Sequence, residues 1–249
     1  MGQPPIIIPV GGACPELSAG LTLLDTLLST NLLGEQSQPT ITLLNIAPRD
    51  GGWPNGVPFC YFWHHHHLVV STLNARALAL VRRNLDVKQV YVTDVREVME
   101  TAARTWAAFD ARQVETIAGS QFRSLWYLPL LAKWISDRQP VPARLDDVPL
   151  TEDEDGLVVS IIDNFGNCKL NWPAETIGHS VGKAFDVLVY HDGKVSGART
   201  VPCYRHLVDV PRGEAGLVIG SSGFGFIELV VRCGSAAAEF GLEEGRQVF

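Results

Sequence analysis

Apolar positions recur along this chain in two rhythms, and the rhythm changes past its middle. In the first part, short apolar runs alternate with stretches of helical spacing. Residues 6–10 form an apolar run closed by Gly11 and Gly12, whose Ile6, Ile7 and Ile8 read as a first buried strand, and residues 17–33 carry Leu17, Leu21, Leu24, Leu27 and Leu28 at the spacing of one helix face. Residues 41–46, 59–63, 68–70 and 87–92 read as strands, whereas 73–85 and 95–109 read as helices. The second of these helices puts Val95, Val98, Met99, Ala102, Trp106 and Phe109 on one side. Residues 122–135 predict a further helix, with Pro129 as its kink or boundary. Strands alternating with helices predict an α/β domain over residues 1–145, a parallel sheet flanked by helices.

Residues 138–155 break the pattern with three prolines and a run of acids, so 146–155 reads as a linker. Beyond Gly156 the runs 157–162, 184–190, 217–219 and 227–231 are strand-like and separated by Gly, Asn and Asp turns. One short helix fits, over 235–240. This texture predicts a small all-β, barrel-like C-terminal domain over 156–249, a small barrel or a sandwich.

Composition narrows the function. Apolar residues make up 46% and charged residues 19% of 249, enough to bury a core. The formal net charge of -7 and scattered basic residues, the densest pair being Arg82 and Arg83, argue against nucleic acid as a partner. No apolar run reaches the ~18 residues that cross a bilayer, so no membrane partner is expected. Five cysteines without a CxxC pair suit reduced thiols and a cytoplasmic setting better than a disulfide framework.

Two segments could carry chemistry. A buried strand delivers Asp163, after which the chain turns through Asn164, Phe165, Gly166 and Asn167. Such a turn can set an aromatic face and a carboxamide beside a heterocycle, or it can be an ordinary hairpin turn. The second is the Gly/Ser loop over 220–225, followed by an apolar strand and a Gly234-Ser235 helix entry. Glycines there let backbone N–H groups approach a ligand, a weak signal alone.

Taken in order, Ile162-Asp163-Asn164-Phe165-Gly166-Asn167 with Asn171, then Gly225-Phe226-Ile227-Glu228-Leu229, Gly234-Ser235-Ala236-Ala237 and a closing run over 241–248, resemble one family. That family is the S-adenosylmethionine hydroxide adenosyltransferases with the related fluorinase and chlorinase. The resemblance spans about residues 156–248. It implies a homotrimer binding an adenosine-type small molecule between subunits, with S-adenosylmethionine as substrate and no firm cofactor. It implies that Asn167 reads the adenine edge, Phe165 lies beside it, Asp163 and Asn171 are near the ligand, and Ser222, Gly223 and Phe224 stand at the family's Asn-Ser-x loop. Asn74 corresponds to the asparagine of the family's PxNGLL segment.

The N-terminal part departs from that pattern. Gly12 stands where relatives have a ribose-binding aspartate, a loss of roughly 1.5–3 kcal/mol. No DPGVG occurs, the corresponding region over 53–71 being short, and the counterpart of TFHGRD is residues 116–124, with Ala118 or Gln121 in the place of the histidine and Arg123 keeping the arginine. Consecutive His64, His65, His66 and His67 would alternate faces on a strand. Arg123, His64 and His66 are therefore the candidate catalytic groups. A metal needs three or four ligands. Cys60 and His206 could supplement the histidines, but no metal site is assigned. The tryptophans Trp106, Trp126 and Trp134 read as core or interface. Three functions follow: displacement at C5′ of S-adenosylmethionine by hydroxide or halide, non-catalytic adenosine binding by a divergent paralogue, or metal-assisted chemistry at residues 64–67.

Overall fold

The computed structural model describes residues 5–32, 38–46, 56–106, 109–151 and 156–249, for Trp106 the backbone only. The acidic run 152–155, Trp53 and the side chain of Trp106 lie outside the described residues. The chain divides into two compact units, one of Met1–Leu28 with Glu152–Phe249 and the other of Ser29–Thr151. Residues 1–28, placed by sequence rhythm with the α/β half, thus group with the C-terminal part.

In the unit 29–151, five strands run in the order β1 (Ile41–Leu44), β3 (His67–Thr72), β2 (Phe59–His64), β4 (Gln89–Thr93) and β5 (Arg144–Asp147). Only β1 and β3 are parallel; β2–β3, β2–β4 and β4–β5 are antiparallel. The expected parallel sheet is therefore a mixed one. Its cause is the connection between β2 and β3. Parallel neighbours need a crossover of about a dozen residues, whereas only His65 and His66 separate these strands. His65 takes φ 53 to close the hairpin. The segment expected as linker from Asp146 begins inside β5, which pairs with β4 from Gln89↔Asp147 to Val92↔Arg144.

Helices α2 (Ala75–Leu85), α3 (Val95–Trp106), α4 (Ala111–Ala118), α5 (Arg123–Trp126) and α6 (Leu128–Ser136) accompany this sheet. Pro129 stands in the first turn of α6, where a missing N–H costs nothing, so the expected long helix is two. All six residues of β3 are buried. Phe59, Leu68, Val70, Met99, Tyr127 and Leu131 share one core.

In the other unit, α1 (Pro15–Asn31) begins beside β6 (Val159–Ile162), with Cys14 and Leu17 packed on Val158. Strands β10 (Ala215–Ile219), β11 (Phe226–Val231), β7 (Cys168–Pro173) and β6 form an antiparallel sheet in that order. Strands β8 (Ala184–His191) and β9 (Lys194–Pro202) pair only with each other. Among the described residues two isolated bridges, Val158↔Gln247 and Cys203↔Leu217, stand where ladders would close a barrel, so of barrel and sandwich the closed barrel is not formed and two separate sheets are. Their facing residues Val159, Leu170, Val187, Val201, Leu217 and Leu229, together with Phe240 of α7 (Ala236–Phe240), make the core.

The apolar run 6–10 forms no strand. Ile6 and Ile7 are 89% and 84% exposed and join no ladder among the described residues. Hydrophobicity marks a segment as able to pair, but only a neighbouring edge makes it a strand. No described helix is long and apolar enough to cross a membrane.

Candidate functional site

Asp163 builds the turn after β6. Its Oδ1 accepts N–H bonds from Phe165 (2.9 Å) and Asn167 (3.0 Å), and its Oδ2 accepts one from the Asn167 carboxamide (3.0 Å). The Asp163 side chain is thus committed to the turn, an Asx-type arrangement that holds the loop without a ligand. Gly166 has φ 80, and a β-carbon there would collide with Ser235, the N-cap of α7. Its carbonyl accepts from Ala237 N at 2.9 Å, fixing the turn to the helix.

This frame leaves Phe165 77% exposed. Phe165 and Asn167 line a groove of about 640 Å³ whose other walls are Leu207, Val208, Val231 and Cys233. Arg232 also lines it, but its Nη1 donates to the carbonyls of Val208 (2.8 Å) and Val210 (3.0 Å). The groove is mostly apolar with one carboxamide at its edge. Such a surface accepts a flat heterocycle by stacking and reads one polar edge.

Asn171 faces elsewhere. It is 4% exposed; its Oδ1 accepts from Val158 N and its Nδ2 donates to the Gly156 carbonyl, both at 2.9 Å. Trp172 Nε1 donates to the same carbonyl at 3.1 Å. These bonds fasten the start of the domain to β7.

The Gly/Ser loop holds a carboxylate of the chain itself. Gly223 N donates to Asp25 of α1, and Ser222, 3% exposed, adds a side-chain hydrogen bond to it. Three successive residues take positive φ: Gly223 59, Phe224 52 and Gly225 128. Successive left-handed residues turn N–H groups into a concavity suited to an anion. Burial pushes the Asp25 carboxyl above its ordinary value, and the Gly223 N–H, the Lys169 charge and Ser222 offset this only in part. Phe224 stands beside this contact, half exposed.

A second carboxylate overlies Gly12. Gly12 has φ 106, and a side chain there would run into Glu244. Glu244 accepts from Cys14 N (3.2 Å) and Ile162 N (3.5 Å).

In the unit 29–151, Asn74 is the N-cap of α2, its Oδ1 accepting from Ala77 N at 2.9 Å. The four histidines do not alternate along a strand, as expected, because His65 and His66 are the turn while His64 and His67 pair across the hairpin. His64 Nε2 meets Asn31 Nδ2 at 2.7 Å, and buried His67 Nδ1 meets Thr40 Oγ1 at 2.9 Å. Desolvation first, then neighbouring imidazoles, hold both below the usual histidine range. No group of three or more metal-binding side chains occurs among the described residues. Cys60 is buried in β2, its thiol pushed up by desolvation to about 12.

Arg123 lines a separate cavity of about 570 Å³ with Asp94, Arg96, Glu97 and Arg144. Of the tryptophans, Trp134 is core and Trp126 is exposed. Sequence reasoning missed Asp25, which sits unmarked within a leucine-rich helix. It also missed Asp94, although Asp before an apolar-periodic run is a readable cap: Asp94 Oδ1 accepts Glu97 N at 2.9 Å.

Comparison with known proteins adds the family. Residues 157–249 match the model of the SAM hydroxide adenosyltransferase C-terminal domain. No curated protein matches the sequence. An uncharacterized conserved protein from Thermotoga maritima is similar in structure, with TM-score 0.59 and 16% identity over 93% of this chain and 85% of that one. A conserved hypothetical protein from Thermus thermophilus gives TM-score 0.52 and 18% identity over 94% of this chain and 82% of that one. At such identity these two structures speak for the fold alone. Residues 157–249, with their Phe165–Asn167 turn and Gly/Ser loop, are thus similar to the C-terminal domain of the SAM hydroxide adenosyltransferases.

Proposed function

We propose that this protein binds an adenosine compound, either S-adenosylmethionine or adenosine itself, with the base against Phe165 and its polar edge at Asn167. The observation that carries the reading is the pairing of an exposed aromatic ring and a carboxamide on one apolar groove, inside the domain that matches the family. A neighbouring copy completes the site in a homotrimer. The largely exposed side chains of Phe165 and Val208 on the groove suit a covered position. In the catalytic form of this reading, hydroxide or halide attacks C5′ of the ribose, the C5′–S bond breaks, and its electron pair leaves with methionine.

A non-catalytic form is favoured by two observations. Asp25 takes donors of the Gly/Ser loop, and the Glu244 carboxylate lies over Gly12, the position that the resemblance aligns with the family's aspartate. Calorimetry with adenosine, alongside chromatography of S-adenosylmethionine incubations, tests the reading. The parent should bind adenosine, and Asn167→Ala and Phe165→Ala should each weaken it about tenfold, the worth of one stacked ring or lost polar partner. Equal heats in parent and both variants would remove the groove as the site. Adenosine plus methionine, or a 5′-halo product, accumulating from S-adenosylmethionine would select the catalytic form.

A further inference from the structure

Three arginines line the cavity at the C-terminal end of β4, and two of them are spent. Arg96 grips Glu115 through two hydrogen bonds, at 2.5 and 3.1 Å, and Arg144 grips Asp146 at 2.8 and 3.2 Å. The Arg123 guanidinium has no hydrogen bond or ion pair among the described residues, yet the residue is half-buried. Its guanidinium lies against the backbone of Gly56, at φ 73, where any side chain would displace it. Burial draws its pKa down while the nearby Asp94 charge holds it up, so the group stays cationic. A desolvated guanidinium without a partner is costly, and a planar fork facing a cavity is built to take an oxyanion in two parallel bonds.

Asp94 supplies the complement. One of its oxygens caps α3 through Glu97 N, and the other is engaged by no described group. Its side chain stands in the same cavity as Arg123. A carboxylate oxygen accepts from hydroxyls and repels bare anions, so the pair favours a molecule carrying both features. The volume of about 570 Å³ is that of a small-ligand site.

We infer that this cavity binds a phosphorylated polyol, with the phosphate on Arg123 and a sugar hydroxyl on Asp94. The site is separate from the groove at Phe165 and does not depend on it. A phosphate monoester is preferred to a carboxylate because its greater negative charge gains more from the one uncommitted guanidinium, that of Arg123.

Calorimetry on the full chain at fixed ionic strength tests this with ribose 5-phosphate, ribose and gluconate. Ribose 5-phosphate should bind, ribose should not, and gluconate should bind at least tenfold more weakly. Arg123→Gln should lose ribose 5-phosphate at least tenfold, with Arg123→Lys between it and the parent. Asp94→Asn keeps a good helix cap and should narrow the preference for ribose 5-phosphate over inorganic phosphate severalfold, because it loses a hydroxyl acceptor and no longer repels the bare anion. Should Arg123→Gln fail to fold, Gly56→Ala, which displaces the same guanidinium, takes its place. Asn167→Ala should bind ribose 5-phosphate as the parent does, which separates this site from the adenosine groove. Absence of binding by the parent, equal binding by Arg123→Gln or its Gly56→Ala substitute, or tighter binding of gluconate would each overturn the assignment.

Discussion

Asp25 is the residue whose protonation the fold changes in the most readable way. Its carboxyl is raised above the ordinary 3.8, chiefly by burial. The native state therefore holds that proton more tightly than the unfolded chain, and the contribution to stability is greatest in acid. It falls as pH rises past the unfolded value and is fully lost above the native one. An amide at this position keeps an oxygen to accept from Gly223 and Ser222 but never ionises. The melting midpoint of Asp25→Asn relative to the parent should thus climb as pH goes from acid to neutral. A difference that stays flat over that range would mean the carboxylate is solvated as in an unfolded chain. At this scale the sequence was a partial guide. Phe165 and Asn167 were marked by their turn, and they do share a groove. Asp163 and Asn171 were marked by the same signal, yet Asp163 is bound to the backbone of its own turn and Asn171, in β7, to the backbone of residues 156 and 158. Residue type announces hydrogen-bonding capacity; it does not say whether the chain itself consumes it.

Among the elements, α2 gives a clean separation between a cap and a ligand-binding group. Asn74 has extended φ and ψ and its oxygen on Ala77 N. Asn74→Ala should cost about 1 kcal/mol of unfolding free energy, whereas Asn74→Asp and Asn74→Ser should restore most of it. Urea denaturation followed by circular dichroism measures this, and an unchanged midpoint in Asn74→Ala would deny the capping role. Elements with strong periodicity were legible: α3 begins at the first apolar position of its face, and β11 covers its apolar run. The helix α4 was overlooked despite a full capping box of Asp110 and Gln113, because it is only eight residues long. Strand β9, KVSGARTVP, was illegible for another reason: its pattern is almost entirely exposed and carries a glycine, so hydrophobic alternation is absent. The histidine hairpin escaped because no Asn-Gly or Gly pair marks its two-residue turn.

For the whole molecule, contact between distant parts decides what local rhythm cannot. Sheet direction was misread because alternation of strands and helices says nothing of a tight hairpin between two of the strands. The small β-rich part was recognised, but closure of its sheets depends on ladders that only three dimensions reveal. Assembly belongs to this scale as well. If the groove with exposed Phe165 and Val208 is shared between copies as proposed above, the protein should sediment as three copies. Sedimentation equilibrium giving a monomer at micromolar concentration would leave the groove open to solvent and end the shared-site reading.

The Glu244 carboxylate that receives Cys14 N and Ile162 N bonds positions 230 apart in the chain. During synthesis on a ribosome, residues near position 14 are made well before their anchor at Glu244 exists. The loop closed by that bond is long, so forming it is slow relative to local helix and hairpin steps. Cutting the chain short before Glu244 would therefore strip the Cys14 and Ile162 amides of this acceptor, even though none of the residues around them had changed.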